Sequence, residues 1–338
     1  MNAAQPKKKL RWGVCLGLGL GATAVVGLVF PFLPEAAPEV CEVLAAERPP
    51  AAVGANNGFD LGNATIPREQ ILSGGPPRDG IPAIDRPKFV APARAGFLRD
   101  DDVVISMTVN GVTRAYPLRI LVWHEIVNDE LGGTAVAVTF CPLCGTAMVF
   151  DRRVGERVLS FGVSGLLYQS DVLMYDRQTE SLWSQLKMEA VSGSQVRTRL
   201  NLLVSEHLTW AAWRERHPDG EVLSIDTGFA RDYENLPYAG YEHAPETIFP
   251  VPTRRKELPN KAWVLGVVVD GQAIAFPVAQ LPEARSASTE FAGQRLEVLY
   301  RATTRHPSVT LDGRPAPHVL AYWFAWQAFY PETRLWQP

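Results

Sequence analysis

Two cysteines separated by a proline and a leucine, Cys141-Pro142-Leu143-Cys144, are the residues whose type and spacing most directly allow chemistry. Such a pair can grip one metal ion, cycle between dithiol and disulfide, or staple a turn. In thioredoxin-like proteins the pair opens a helix, whose N-terminus lowers the first thiol's pKa. Here Gly145 and the apolar "TAMVF" predict a returning strand, hence a strand–turn–strand knuckle that offers two sulfurs to one ion or closes a small disulfide. The sequence leaves metal and disulfide both open.

One knuckle supplies two ligands, a closed tetrahedral site takes four, and the chain has no second C-x-x-C. The nearest third ligand is His124 in "VWHEIVND", one strand upstream, which returns beside the knuckle if the two strands pair. Glu125, Asp171, Met174 and Asp176 are weaker candidates. The competing reading of His124 is a hydrogen-bonded structural histidine. A Cys141, Cys144 and His124 set with one open or weak position suits a metal ion, copper slightly preferred over zinc or iron, since the ligands are soft and the expected compartment is oxidising.

That compartment follows from the N-terminus. After the basic flank 1–11, ending in "KKKLR", residues 12–33 carry no charge and are long enough to span a bilayer. The flank predicts a single-pass anchor in the cell membrane with everything after Leu33 on the extracytoplasmic side. A cleaved signal peptide is the alternative, but the apolar stretch is long for one and "PEAAPE" is a poor cleavage site. Residues 34–56, rich in Ala, Pro and Glu, read as a linker, and 57–338 as the exported globular domain. With a net charge of -3 and no Lys/Arg run interleaved with aromatics, the chain offers no nucleic-acid surface. No strand–loop–helix phosphate cradle appears, so no nucleotide cofactor is expected.

The domain contains an internal repeat, about 103–150 and 263–310. "VNGVTRAYPL" at 109–118 recurs as "VDGQAIAFPV" at 269–278, and "NDELGGTAVAVTF" at 128–140 faces "STEFAGQRLEVLY" at 288–300 in the same register. Asn-Gly and Asp-Gly between alternating apolar residues predict hairpins with type I′ turns. At the same offset Cys141 faces Arg301, Cys144 faces Thr304 and His124 faces Ala284, which shifts weight toward a function peculiar to the first copy.

The whole reads as an α+β, β-rich fold: antiparallel sheets built from two repeated β units, with few short helices. "VLMYDRQTESLWSQ" predicts two strands around a turn at 177–180, and "RVLSFGVSG" a strand that breaks into a turn. "TWAAWRERH" predicts a helix capped by Thr209, and "YWFAWQAFYPET" a short helix or strand. "ILSGGPPRDGIPAIDRP" reads as an extended wrap, and the Tyr-rich 232–245 as an ordered surface loop or a lid.

Taken together, "SGGPPRDGIPAIDRPKF", "RAYPLRILVWHEIVND", "VTFCPLCGTAMVFDR", "FGVSGLLYQSDVLMYDRQTESLWSQ" and "WFAWQAFYPET" resemble the prokaryotic family known as domain of unknown function 3179. The resemblance spans about residues 60 to 335 and brings no settled activity. It implies that His124, Cys141, Cys144, Ser164, Tyr168, Asp171, Tyr175, Asp176, Ser181, Trp183 and Gln185 belong to signature motifs. On that footing Asp171, Tyr175 and Asp176 are the catalytic candidates, and Ser164, Tyr168, Ser181, Trp183 and Gln185 line a pocket beside the metal. Three functions compete: a metal protein with a redox role, a thiol–disulfide oxidoreductase using Cys141 and Cys144, and a non-enzymatic binding module with a structural disulfide.

Overall fold

The structure is a computed structural model that describes residues 52–251, 255–283 and 285–338. The expected anchor at 12–33 and most of the linker lie outside those residues. No helix among the described residues is long and apolar enough to cross a membrane.

Among the described residues the chain builds five sheets of four or five strands in a propeller-like arrangement, with a two-stranded ribbon beside them. The first sheet holds Val103–Val109 and Val112–Pro117, flanked by Glu206–Thr209 and by Glu221–Leu223. The second runs Ile126–Leu131, Thr134–Cys141, Thr146–Asp151, with Asn201–Leu202 at its edge. The third carries Phe161–Tyr168, Asp171–Asp176, Leu182–Ser184 and Glu189–Ser192, edged by Ile71–Ser73 from the Gly/Pro-rich wrap. The fourth and fifth are built from 263–335.

The duplication extends further than its sequence signal. Val103–Val109 corresponds to Trp263–Val269, an offset of 160, and the same offset carries Thr134–Cys141 onto Gln294–Arg301 and Thr146–Asp151 onto His306–Leu311. Later elements match at a shorter distance: Glu206–Thr209 and the helix Trp210–Arg216 correspond to Val319–Tyr322 and the helix Trp323–Phe329, an offset of 113. In both copies this second part folds back onto the opening hairpin as an antiparallel strand, a helix, and a short parallel strand. The first copy therefore holds 160 less 113, or 47, extra residues, which is where the third sheet lies.

Local chemistry explains most elements. Asn110-Gly111 and Asp270-Gly271 all have positive φ, as type I′ turns require. The Trp210–Arg216 helix begins where the Ala212 N–H donates to Thr209 Oγ1 at 3.5 Å. One expectation fails: the segment 157–165 does not break into a turn. Phe161–Tyr168 is one strand, and Gly165, at φ 74°, absorbs a bulge between Val163 and Leu166 instead. The reversal comes later, at Gln169-Ser170, whose φ values are 54° and 66° without a glycine. The largest apolar cluster joins the second, third and fourth sheets and encloses both cysteines.

Candidate metal centre

Cys141 ends one strand, Thr146 starts the next, and the two residues are cross-strand partners, so the cysteine pair sits on a strand–turn–strand knuckle. Gly145 closes that turn at φ 67°, and a Cβ there would meet the Trp263 ring at 2.6 Å. The Cys144 carbonyl accepts from Tyr322 N–H at 2.9 Å, pinning the knuckle to the fourth sheet. Both cysteines are free thiols, 1% and 0% exposed.

The inserted third sheet brings the remaining groups. Its Gln169-Ser170 turn directs the Ser170 carbonyl at the knuckle, where it accepts from Cys144 Sγ at 3.2 Å and from Cys141 Sγ at 3.7 Å. The next residue, Asp171, is fully buried; its Oδ2 accepts from Leu186 N–H at 2.9 Å, while Oδ1 has no hydrogen-bond partner among the described residues. One ligand atom each from Cys141, Cys144 and Asp171 lie within 4.8 Å of one another. Backbone strain at Gln169 and Ser170 is the local cost of this convergence. Gln185 fixes the two sheets to each other, donating to Thr139 Oγ1 at 2.8 Å and accepting from Thr146 Oγ1 at 2.6 Å.

Burial dominates the electrostatics. It pushes the Asp171 carboxyl up to about 7, against the backbone N–H groups of Leu186 and Val172 and the Cys141 thiol. Glu125 is pushed to about 8, first by burial and then by the charge of Asp171. Both thiols are raised, Cys144 strongly, again chiefly by burial. Lys261 lowers the Cys144 thiol slightly from a distance, with its ammonium donating to the Tyr241 carbonyl at 2.9 Å. Four acidic groups are thus held toward their neutral forms by burial. The three clustered donors are a possible metal-binding group: two thiols and a carboxylate with an unsatisfied oxygen are the donor types a thiophilic cation takes.

His124 does not join them. Its Nδ1 lies 2.7 Å from the Pro82 carbonyl and its Nε2 lies 2.7 Å from Tyr233 Oη, so both ring nitrogens are occupied, the second by the Tyr-rich loop. The third donor is Asp171, one of the weaker ligands by sequence and one of the catalytic candidates. The signal for it was its place in the segment that the second repeat lacks.

The other named residues mostly hold this insertion together. Asp176 accepts from Thr179 N–H, Thr179 Oγ1 and Trp183 Nε1, tying its own hairpin. Ser181 continues that network to Gln195 N–H, and Ser164 Oγ donates to the Leu173 carbonyl across the bulge. Tyr175 donates to Asp79 Oδ2, Met174 is buried in the apolar cluster, and Tyr168 packs edge-on against Phe329.

A cavity of about 200 Å³ lies beside the cluster, walled by Leu143 and Val172, chain neighbours of Cys144 and Asp171. Its lining is mainly apolar or glycine, including Gly74, Gly165 and Phe249, with Glu125 as its single ionisable carboxyl. Glu125 is non-glycine yet sits at φ 59°. Sequence spacing placed it next to His124, and only the fold turns it toward the cysteines.

No curated protein and no solved structure matches the chain. Over residues 78–314, which include the knuckle and the inserted sheet, it matches the profile of a family described as a protein of unknown function (DUF3179), and the chain belongs to that family.

Proposed function

We propose that the protein is a membrane-held, extracytoplasmic metalloprotein in which Cys141, Cys144 and Asp171 bind one metal ion beside a cavity that admits a small substrate. The observation that carries this reading is the convergence of Asp171 with two free thiols, all three wholly buried and one ligand atom of each within 4.8 Å of the others. Burying such a group is costly unless a cation compensates it.

The donor set moves the metal preference from copper to zinc. With Asp171 in place of His124 the third ligand is a hard oxygen, and two thiolates with one carboxylate suit zinc better than copper(I). Three protein donors leave a fourth position for a ligand, where the ion would supply a Lewis acid. Glu125, lining the cavity and pushed to about 8, can hold or deliver a proton there. Thiol exchange with exported proteins fits less well: the sulfurs are buried and their pKa values raised, whereas an attacking thiol is exposed and acidified.

Elemental analysis of the purified protein tests the reading. Close to one zinc per chain is expected, with strong depletion in Cys144→Ser and in Asp171→Asn. Trace metal in the parent protein, or unchanged metal in both variants, defeats it.

A further inference from the structure

A second cavity, about 410 Å³, lies between the two repeats, on the side of the knuckle formed by Pro142 and Gly145. Equivalent positions from both copies line it. Val103 and Trp263, Phe140 and Tyr300, and Gly145 and Arg305 are pairs at the offset of 160, and His207 and Leu320 are a pair at 113. An interface between duplicated units that served folding alone would close on apolar side chains. Here it stays hollow, at a volume typical of ligand sites.

At the three pairs named at the offset of 160 the second copy carries the larger or more polar group, whereas at His207 and Leu320 the first copy does. The first contributes the small or apolar residues Val103, Phe140 and Gly145, and the second contributes an indole, a phenol and a guanidinium. Trp263 is 36% exposed, large for a tryptophan in a cavity wall, and packs 4.4 Å from the Tyr322 ring, so two aromatic faces meet at one side. Arg305 holds a left-handed backbone at φ 52°, where Gly145 does so without a side chain, and has no carboxylate partner among the described residues. Glu242, the one carboxylate among the lining residues, lies 3.5 Å from His243 Nε2.

We propose that this cavity binds a planar aromatic anion, its ring against Trp263 and Tyr322 and its carboxylate on Arg305. Aromatic walls supply area for a flat ring, and an unengaged guanidinium supplies a fork that matches a carboxylate. The proposal is independent of the metal reading, although Tyr322 touches both sites through its N–H bond to Cys144.

Titrating the full chain with 1-naphthoate, followed by tryptophan fluorescence and by calorimetry, tests it, with 1-naphthalenemethanol as the uncharged comparison. Saturable naphthoate binding is expected, weakened about tenfold or more by Arg305→Ala, which leaves the alcohol's affinity unchanged. Arg305→Lys should recover only part of the loss, and Trp263→Ala should weaken both probes in the calorimeter. Absence of saturable naphthoate binding overturns the proposal, as does full-strength binding by Arg305→Ala, an exposed position whose substitution leaves the core untouched.

Discussion

Replacing Asp171 by asparagine separates a metal ligand from a structural carboxylate, because the two roles predict opposite changes in stability. Burial pushes this carboxyl from 3.8 to about 7 in the folded protein. The unfolded chain ionises near 3.8, so between there and pH 7 the folded state holds a proton that the unfolded state has lost. Stability therefore falls as pH rises through that window, and by pH 8 the full cost applies. A shift of about three units corresponds to about 4 kcal/mol. Asp171→Asn removes the charge while keeping an oxygen to accept from Leu186 N–H. The chelator-treated variant should be more stable than the parent at pH 8, by a few kcal/mol and several degrees in Tm, and nearly equal to it at pH 4. Added zinc should raise the parent's Tm and leave the variant's where it was. Thermal unfolding of both proteins by circular dichroism at both pH values, with and without zinc, gives every comparison. A metal-free variant less stable than the parent at pH 8, or one that still responds to zinc, would refute the reasoning.

Other perturbations probe the scaffold. Gly145→Ala combines a positive φ with a Cβ 2.6 Å from the Trp263 ring, and urea unfolding should show a loss of about 2–4 kcal/mol. Gln185→Leu strands the Thr146 hydroxyl and takes from Thr139 Oγ1 the bond it accepts, leaving its bond to the Met148 carbonyl, with an expected loss of about 2 kcal/mol and reduced zinc content by elemental analysis. Burial holds His207 and His318 down to about 3 and about 4. Below their ordinary 6.5 the unfolded chain takes up protons that the folded chain does not, so stability falls as pH drops from 6.5 toward 3. His207→Leu, which installs the residue type of its repeat partner Leu320, should flatten that acid limb in denaturation curves from pH 7 to 4.

The knuckle was legible because its determinants are local. Two cysteines, a proline and a glycine between alternating apolar runs specify a strand, a tight return and another strand with no help from distant residues. The type I′ hairpins were legible for the same reason, since Asn-Gly and Asp-Gly announce positive φ. Gln169-Ser170 does not announce a positive φ: neither residue favours the left-handed region, and tertiary packing drives both into it, so the reversal that delivers Ser170 and Asp171 left little local trace. The second half of each repeat was hidden differently. "EHLTWAAWRERHP" and "VLAYWFAWQAFYP" align only after 47 residues are removed, and a fixed-offset comparison cannot see past that insertion.

By itself the sequence determined that this chain is β-rich and duplicated, that its two neighbouring cysteines share a turn, and that they belong to one copy alone. It could not determine what meets them. His124 is nearer along the chain and better suited to soft metals, yet its ring is spent on Pro82 and Tyr233, while a carboxylate from an inserted sheet occupies the place beside the sulfurs. Which distant group arrives is fixed by how sheets pack, and packing depends on the summed burial of many residues rather than on the spacing of any few.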